Sequence, residues 1–429
     1  MVMKDTSKMA AAIAHVSPVW PRYTPIIASH GEGAYVYDQD GTPYLDFTCG
    51  IGVTNTGHCH PKVVAAIREQ AGKFIHAQVN IVYHEPLLDL IGELRQIVHP
   101  SLDGFFFSNS GAEAIEGAMK LARHATGRTN IIVFQGSFHG RTVGTMSLTT
   151  SKTIYRTSYQ PLMPGVFVAP YPYAYRYGWD AEQTSRWCLD ELEYLLVSQT
   201  APHETAAMLI EPVLGEGGYV VPPASFLRGL RQICDRHGIL LIADEIQSGM
   251  GRTGKWFAYE HFDLRPDIVT VAKGLASGLP ISGVFSSLEL MKKWEPGSHG
   301  GTFGGNVIAC AAGAATIRAM RSEGMLPNAA ERGIQLATGL RRLQEEFPAI
   351  GDVRGLGLMV GVEFRSPENK PDKTTAKSVV HACLDRKLLL LTCGPWDNTV
   401  RFIPPLIISS EQINQGLEIF GNALKEVCG

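Results

Sequence analysis

Short apolar runs recur between residues 104 and 287: GFFFSNS (104–110), IIVF (131–134), AAMLIEP (206–212), ILLIADE (239–245), DIVTVAK (267–273) and SGVFSS (282–287). Each is continuous rather than alternating, as expected of strands covered on both faces. Helical patterns lie between them. Residues 111–123 place Ile115, Met119 and Ala122 on one side, and a helix over 224–237 ends at Gly238. Strand and helix in alternation predict an α/β fold with a mainly parallel sheet. Upstream, GTPYLDF (41–47) reads as a strand, and Pro61 opens a helix with Val64, Ile67 and Ala71 on one face. The aromatic stretch 170–184 reads as a long loop.

From about residue 320 the rhythm changes. Residues 328–347 read as a helix, RGLGLMVGVEF, LLLLTC and TVRFIPPL as strands, and 411–427 as a terminal amphipathic helix. The expected organisation is an N-terminal segment (1–60) shared between a small domain and a subunit interface, a large domain (61–320), and a C-terminal small α+β domain (321–429). A chain of 429 residues exceeds what one core usually serves.

Composition narrows the function classes. Net charge is −3 with no run of one sign, so no nucleic-acid footprint is expected. No apolar run approaches the roughly 20 residues of a membrane span, and the N-terminal apolar patch is too short for a signal sequence. The eight cysteines form no C-x-x-C pair and read as reduced packing residues of a cytoplasmic protein. His58 and His60 in GHCHP have no partner cluster, so no metal is expected. The glycines of RGLGLMVG precede a strand-like run, not a helix, which speaks against a dinucleotide loop.

Three local features carry chemistry. In SNSGAEA (108–114) a strand runs into a helix, where free N–H groups hold phosphate; the same residues also spell a capping box, Ser110-x-x-Glu113. LLIADEIQ (240–247) ends a strand in Asp244 and Glu245, and alternation sends them to opposite faces. Lys273 ends the next strand, where a buried ammonium is costly unless partnered. Pyridoxal phosphate meets all three, with its phosphate, a ring nitrogen that needs an acid, and an aldehyde that condenses with a lysine as a Schiff base. An Asp about 4 Å from the ring nitrogen favours the protonated ring by up to about 4 kcal/mol at an effective dielectric near 20.

The order and spacing of SNSGAEAIEGAMKLAR, GSFHGRT, IEPVLGEGG, IADEIQSGMGRTGKWFAYEHFDLRPDIVTVAKGLASGLP and GGTFGGNVIACAA resemble the class III pyridoxal-phosphate-dependent aminotransferases. With DFTCGIGVTNTGHCHP and NTVRFIPPL the likeness spans about residues 20 to 425. It is nearest to 4-aminobutyrate (GABA) aminotransferases, with acetylornithine and ornithine aminotransferases next. The resemblance implies fold type I, the aspartate-aminotransferase-like fold, and a homodimer with sites built from both subunits.

It also implies roles. Gly111 and Ala112 take the phosphate, Phe138 lies on the ring, Asp244 pairs with the ring nitrogen and Gln247 bonds the ring hydroxyl. Lys273 carries the cofactor and moves protons, and Thr302 reaches the other subunit's phosphate. Arg141 holds the distal carboxylate of an ω-amino acid or of 2-oxoglutarate, and Arg401 holds the α-carboxylate of glutamate or 2-oxoglutarate. Glu216 masks Arg401 when an ω-donor is bound, and Ile51 forms an apolar wall. Glu211 is expected beside the site without an assigned role. The expected reaction is transamination of 4-aminobutyrate with 2-oxoglutarate, giving succinate semialdehyde and glutamate. An acetylornithine-type or broad ω-aminotransferase, a racemase on the same scaffold and a non-catalytic protein that kept the fold are the rival readings.

Overall fold

The computed structural model describes residues 12–429. Most of the short N-terminal apolar patch falls in residues 1–11, outside the described residues. The centre is a seven-stranded sheet in the order Gly104–Ser108, Ser282–Ser286, Ile268–Val271, Leu240–Asp244, Thr205–Ile210, Asn130–Phe134, Val166–Ala169. The last five run parallel. Ser282–Ser286 is antiparallel to both of its neighbours.

The apolar strands are explained by two cores. Ile131 and Val133 face one core with Ile242, while Ile132 and Phe134 face the other with Leu241 and Ala243. The helix Gly111–Thr126 covers the first core with Ala114, Ile115, Ala118 and Ala122. On the opposite face, helix Ala224–His237 contributes Phe226, Leu227, Leu230 and Ile233, and it stops where Gly238 takes φ +59°.

Two four-stranded sheets flank this centre. One joins Ala28–Glu32, Tyr35–Asp38, Pro43–Asp46 and Leu388–Leu389, and the other joins Ile350–Leu356, Met359–Phe364, Thr399–Phe402 and Leu391–Cys393. LLLLTC, which reads as one strand, is therefore split between two sheets. RGLGLMVGVEF holds the two arms of an antiparallel hairpin that turns at Gly357, φ +54°.

Other departures from the sequence reading have clear causes. Residues 170–184 are not a loop throughout. Ala174–Tyr177 is a helical turn, and Asp180 caps an 18-residue helix, Ala181–Ser198, that buries Thr184, Cys188, Leu192 and Leu195. The helix Pro61–Ala71 buries Val63 and Gln70, while Val64 and Ile67 are half-buried and Ala71 is exposed. Its inward face is thus turned by one position, because it packs on the helix Val307–Ser322. His58 pairs with Asp46 at 2.8 Å and His60 with Glu323 at 3.0 Å, so the two imidazoles serve different carboxylates. All eight cysteines are free thiols. No helix among the described residues is long and apolar enough to cross a membrane.

Candidate active site

The parallel strands of the central sheet end at one edge, where ligands of α/β folds bind. A cavity of about 320 Å³ opens there. It is lined by Gly111, Ala112, Phe138, Asp244, Gln247 and Lys273, six residues expected at the cofactor, together with His139, Glu211 and Glu216.

Each reaches the cavity for a local reason. The capping box at the start of helix Gly111–Thr126 is real, since Ser110 accepts from the Glu113 N–H at 3.3 Å and Glu113 accepts from the Ser110 N–H at 2.9 Å. The cap leaves the N–H groups of Gly111 and Ala112 unpaired among the described residues, so capping and anion binding coexist. A Cβ on Gly111 would come within 2.9 Å of the Ile246 Cδ1, so the glycine lets Ile246 pack closely against the helix start.

Asp244 is buried at its strand end. Its Oδ2 lies 2.7 Å from His139 Nδ1, and Oδ1 accepts from the Ile246 N–H at 3.0 Å. Glu245 points the other way, to Ser248 and the Tyr259 N–H, and burial pushes its carboxyl up to about 7. Lys273 sits just past Val271 with φ +40°, in the left-handed region that a lysine seldom occupies. Burial, then the positive charge of Arg401, pulls its amine from 10.5 down to about 8, against the pull of Asp244.

Glu211 acquires a structural role. Its carboxylate accepts from the Phe138 N–H at 2.7 Å and from the Gly215 N–H at 2.7 Å. It ties the loop that carries Phe138 to the loop that carries Glu216. Burial raises its pKa.

A second constellation stands beside the cavity. Arg401, buried on the Thr399–Phe402 strand, holds Glu216 Oε2 at 2.9 Å. Lys152 and the Tyr155 hydroxyl both bond Glu216 Oε1, at 3.0 and 2.9 Å. Burial pushes the Glu216 carboxyl up, but Arg401 and Lys152 outweigh it and hold it below the usual range. Arg141 stacks its guanidinium 4.3 Å from the Tyr155 ring centre and has no carboxylate partner among the described residues. Ile51 lies in a turn whose residues Cys49, Gly50, Ile51 and Gly52 all take positive φ, two positions before Val53 of the cavity wall. Thr302 is exposed and does not line this cavity.

The class III aminotransferase family model matches residues 16–424. The chain belongs to the class III aminotransferases. It is 41% identical over 410 residues to the 4-aminobutyrate aminotransferase GabT of Escherichia coli, covering 94% of each chain. It is 40% identical over 407 residues to the 5-aminovalerate aminotransferase DavT of Pseudomonas aeruginosa, again covering 94% of each. Its fold matches that of a thermostable (S)-enantioselective ω-transaminase from Thermomicrobium roseum with a TM-score of 0.92 at 30% identity, over 99% of both chains. The architecture is that of the fold type I transaminases.

The residues of this aminotransferase fit pyridoxal phosphate. Two free N–H groups at a helix start suit its phosphate. A buried carboxylate suits its ring nitrogen. Gln247 lines the cavity, where its amide can donate to the ring hydroxyl oxygen, and Lys273 offers an amine whose pKa is lowered to about 8. The sequence reading left out His139, Lys152 and Tyr155. His139 lies inside GSFHGRT, so its neighbours were the signal. Lys152 and Tyr155 belong to no local pattern.

Proposed function

We propose that this aminotransferase moves the amino group of an ω-amino acid, 4-aminobutyrate foremost, to 2-oxoglutarate, forming succinate semialdehyde and glutamate. The observation that carries this reading is the buried pair of Arg401 and Glu216, 2.9 Å apart. An ω-donor has one carboxylate, far from its amine. Glutamate has a second one beside the amine. A site serving both needs a cation that can be offered and withdrawn, and an arginine paired with a mobile carboxylate supplies it.

Pyridoxal phosphate, when bound, supplies an aldehyde for the amine and a ring that accepts electrons. In this reading Gly111 and Ala112 bind its phosphate, Phe138 covers one ring face, Asp244 keeps the ring nitrogen protonated and Gln247 bonds the ring hydroxyl. Lys273 holds the cofactor and shuttles a proton as general acid and base at its Nζ. Arg141 holds the distal carboxylate and Arg401 the α-carboxylate. Ile51 walls the donor.

A second copy of the chain completes the site. Ile75, Ile81, Tyr83 and Phe303 expose between 60% and 81% of their surface. The segment with His76 meets the Phe303 loop, the rings 5.3 Å apart. An apolar patch of this kind marks an association surface, and Thr302 in it would reach the partner's phosphate. Donors are tested by following the loss of cofactor colour in the loaded enzyme. GABA should discharge it faster than 5-aminovalerate and far faster than acetylornithine; the reverse order would move the assignment to the faster donor. A racemase would instead interconvert the enantiomers of alanine or serine with no keto acid present and leave the cofactor colour undischarged.

A further inference from the structure

The masking reading leaves open where Glu216 goes when Arg401 binds an α-carboxylate. The backbone of Glu216 is fixed on both sides. The Gly215 N–H donates to Glu211 at 2.7 Å, and the Glu216 carbonyl accepts from the Gly394 N–H at 2.8 Å. A Cβ on Gly217 would lie 2.3 Å from the Gly136 carbonyl oxygen, so the loop is packed against its neighbour. With the backbone held in this way, a change at Glu216 falls to its side chain.

Its two oxygens have different partners. Oε2 belongs to Arg401, while Oε1 belongs to Lys152 and Tyr155. Lys152 is in turn fixed by Asp397 at 2.5 Å, and Asp397 by Lys373 at 2.8 Å. Lys152 and Glu216 are each only 13% exposed, so neither is a solvated surface charge. Water is a poor refuge for this carboxylate, because its backbone is hydrogen-bonded on both sides and its surroundings are protein.

Resting on the masking role of Glu216, we propose that Lys152 and Tyr155 form a second seat for it. The side chain pivots on Oε1, releases Arg401 to the substrate and stays paired. Lys152 and Tyr155 are positioning residues here, acting on Arg401 through Glu216. In the masked state three donors share the carboxylate. In the open state Lys152 and Tyr155 hold it alone, so their contribution rises as Arg401 leaves, and that difference is what a ligand feels. Burial first, then Glu216, pushes the Tyr155 hydroxyl up to about 12, which keeps it a donor.

The test is calorimetric titration of the cofactor-loaded enzyme with two unreactive ligands. Glutarate carries two carboxylates and needs Arg401 unmasked, while butyrate carries one. Lys152→Met should raise the Kd of glutarate about tenfold to a hundredfold and that of butyrate by less than about threefold. Lys152→Arg should restore most of the loss. In a Glu216→Gln background, Lys152→Met should change glutarate binding by less than about threefold, since its effect passes through Glu216. Equal weakening of both ligands, or the same loss in the Glu216→Gln background, would overturn the seat and assign Lys152 to the substrate itself. Glu216→Gln alone should tighten glutarate about tenfold. If that variant leaves glutarate unchanged, the masking reading fails and takes the seat with it. If it tightens glutarate while Lys152→Met changes nothing, the seat alone fails.

Discussion

Lys273→Met removes an ammonium that the fold holds at a cost, and the cost depends on pH. In the unfolded chain the amine titrates near 10.5, and in the folded cavity near 8, chiefly through burial and the charge of Arg401. Between these values the unfolded state binds more protons, so stability rises with pH across that window. That depression corresponds to a penalty on the order of 3 kcal/mol at pH 7, part of it relieved at pH 9 and most of it at pH 10. Methionine matches the lysine stem in volume and carries no charge. Cofactor-free Lys273→Met protein should therefore be more stable than the parent at pH 7, and the gap should close towards pH 10. Denaturant unfolding at pH 7, 9 and 10 measures the gap. A difference that stays constant with pH would show that the amine titrates alike in both states, and the argument for a nucleophile of lowered pKa would fall. The same depression leaves about a quarter of the amine neutral at pH 7.5, against about a thousandth for an ordinary lysine.

Other expectations follow from single contacts. Arg401→Ala should weaken glutamate and 2-oxoglutarate about tenfold to a hundredfold while GABA loses far less, measured as separate half-reactions; equal losses would remove Arg401 from α-carboxylate binding. His139→Phe takes from Asp244 its 2.7 Å partner and should destabilise the cofactor-free protein by about 2 kcal/mol in denaturant unfolding; an unchanged midpoint would show that the pair contributes nothing. Phe303→Asp buries a charge in the proposed subunit contact and should halve the mass seen by sedimentation, with loss of activity; an unaltered mass would place the contact elsewhere.

The central strands were legible because both of their faces are buried. Ile131 and Ile132 point to different cores yet are equally apolar, so a continuous run betrays the strand. Helix ends with a chemical stop, such as Gly238 after His237, were legible too. The helix Val307–Ser322 has a cap at its start in Asn306, but Ala309, Ala312, Ala314 and Ala315 are buried on several sides, so the pattern shows no face. The helix after Asp180 was hidden by the aromatic residues before it, although the cap was there to be read. At the site, Gly111, Asp244 and Lys273 stand beside strand ends and announce themselves. The Glu216–Arg401 pair joins residues 185 positions apart and could be expected only from a family likeness. Lys152 and Tyr155 approach Glu216 through the tertiary fold, with no periodicity in the sequence to mark them.

The proposed chemistry requires one lysine, Lys273, to hold the cofactor. Borohydride reduction of the loaded enzyme, followed by digestion and mass analysis, should find the added pyridoxyl phosphate mass on the peptide containing Lys273, and Lys273→Ala protein should carry none. The same mass on another lysine, or undiminished fixation in the variant, would contradict the account.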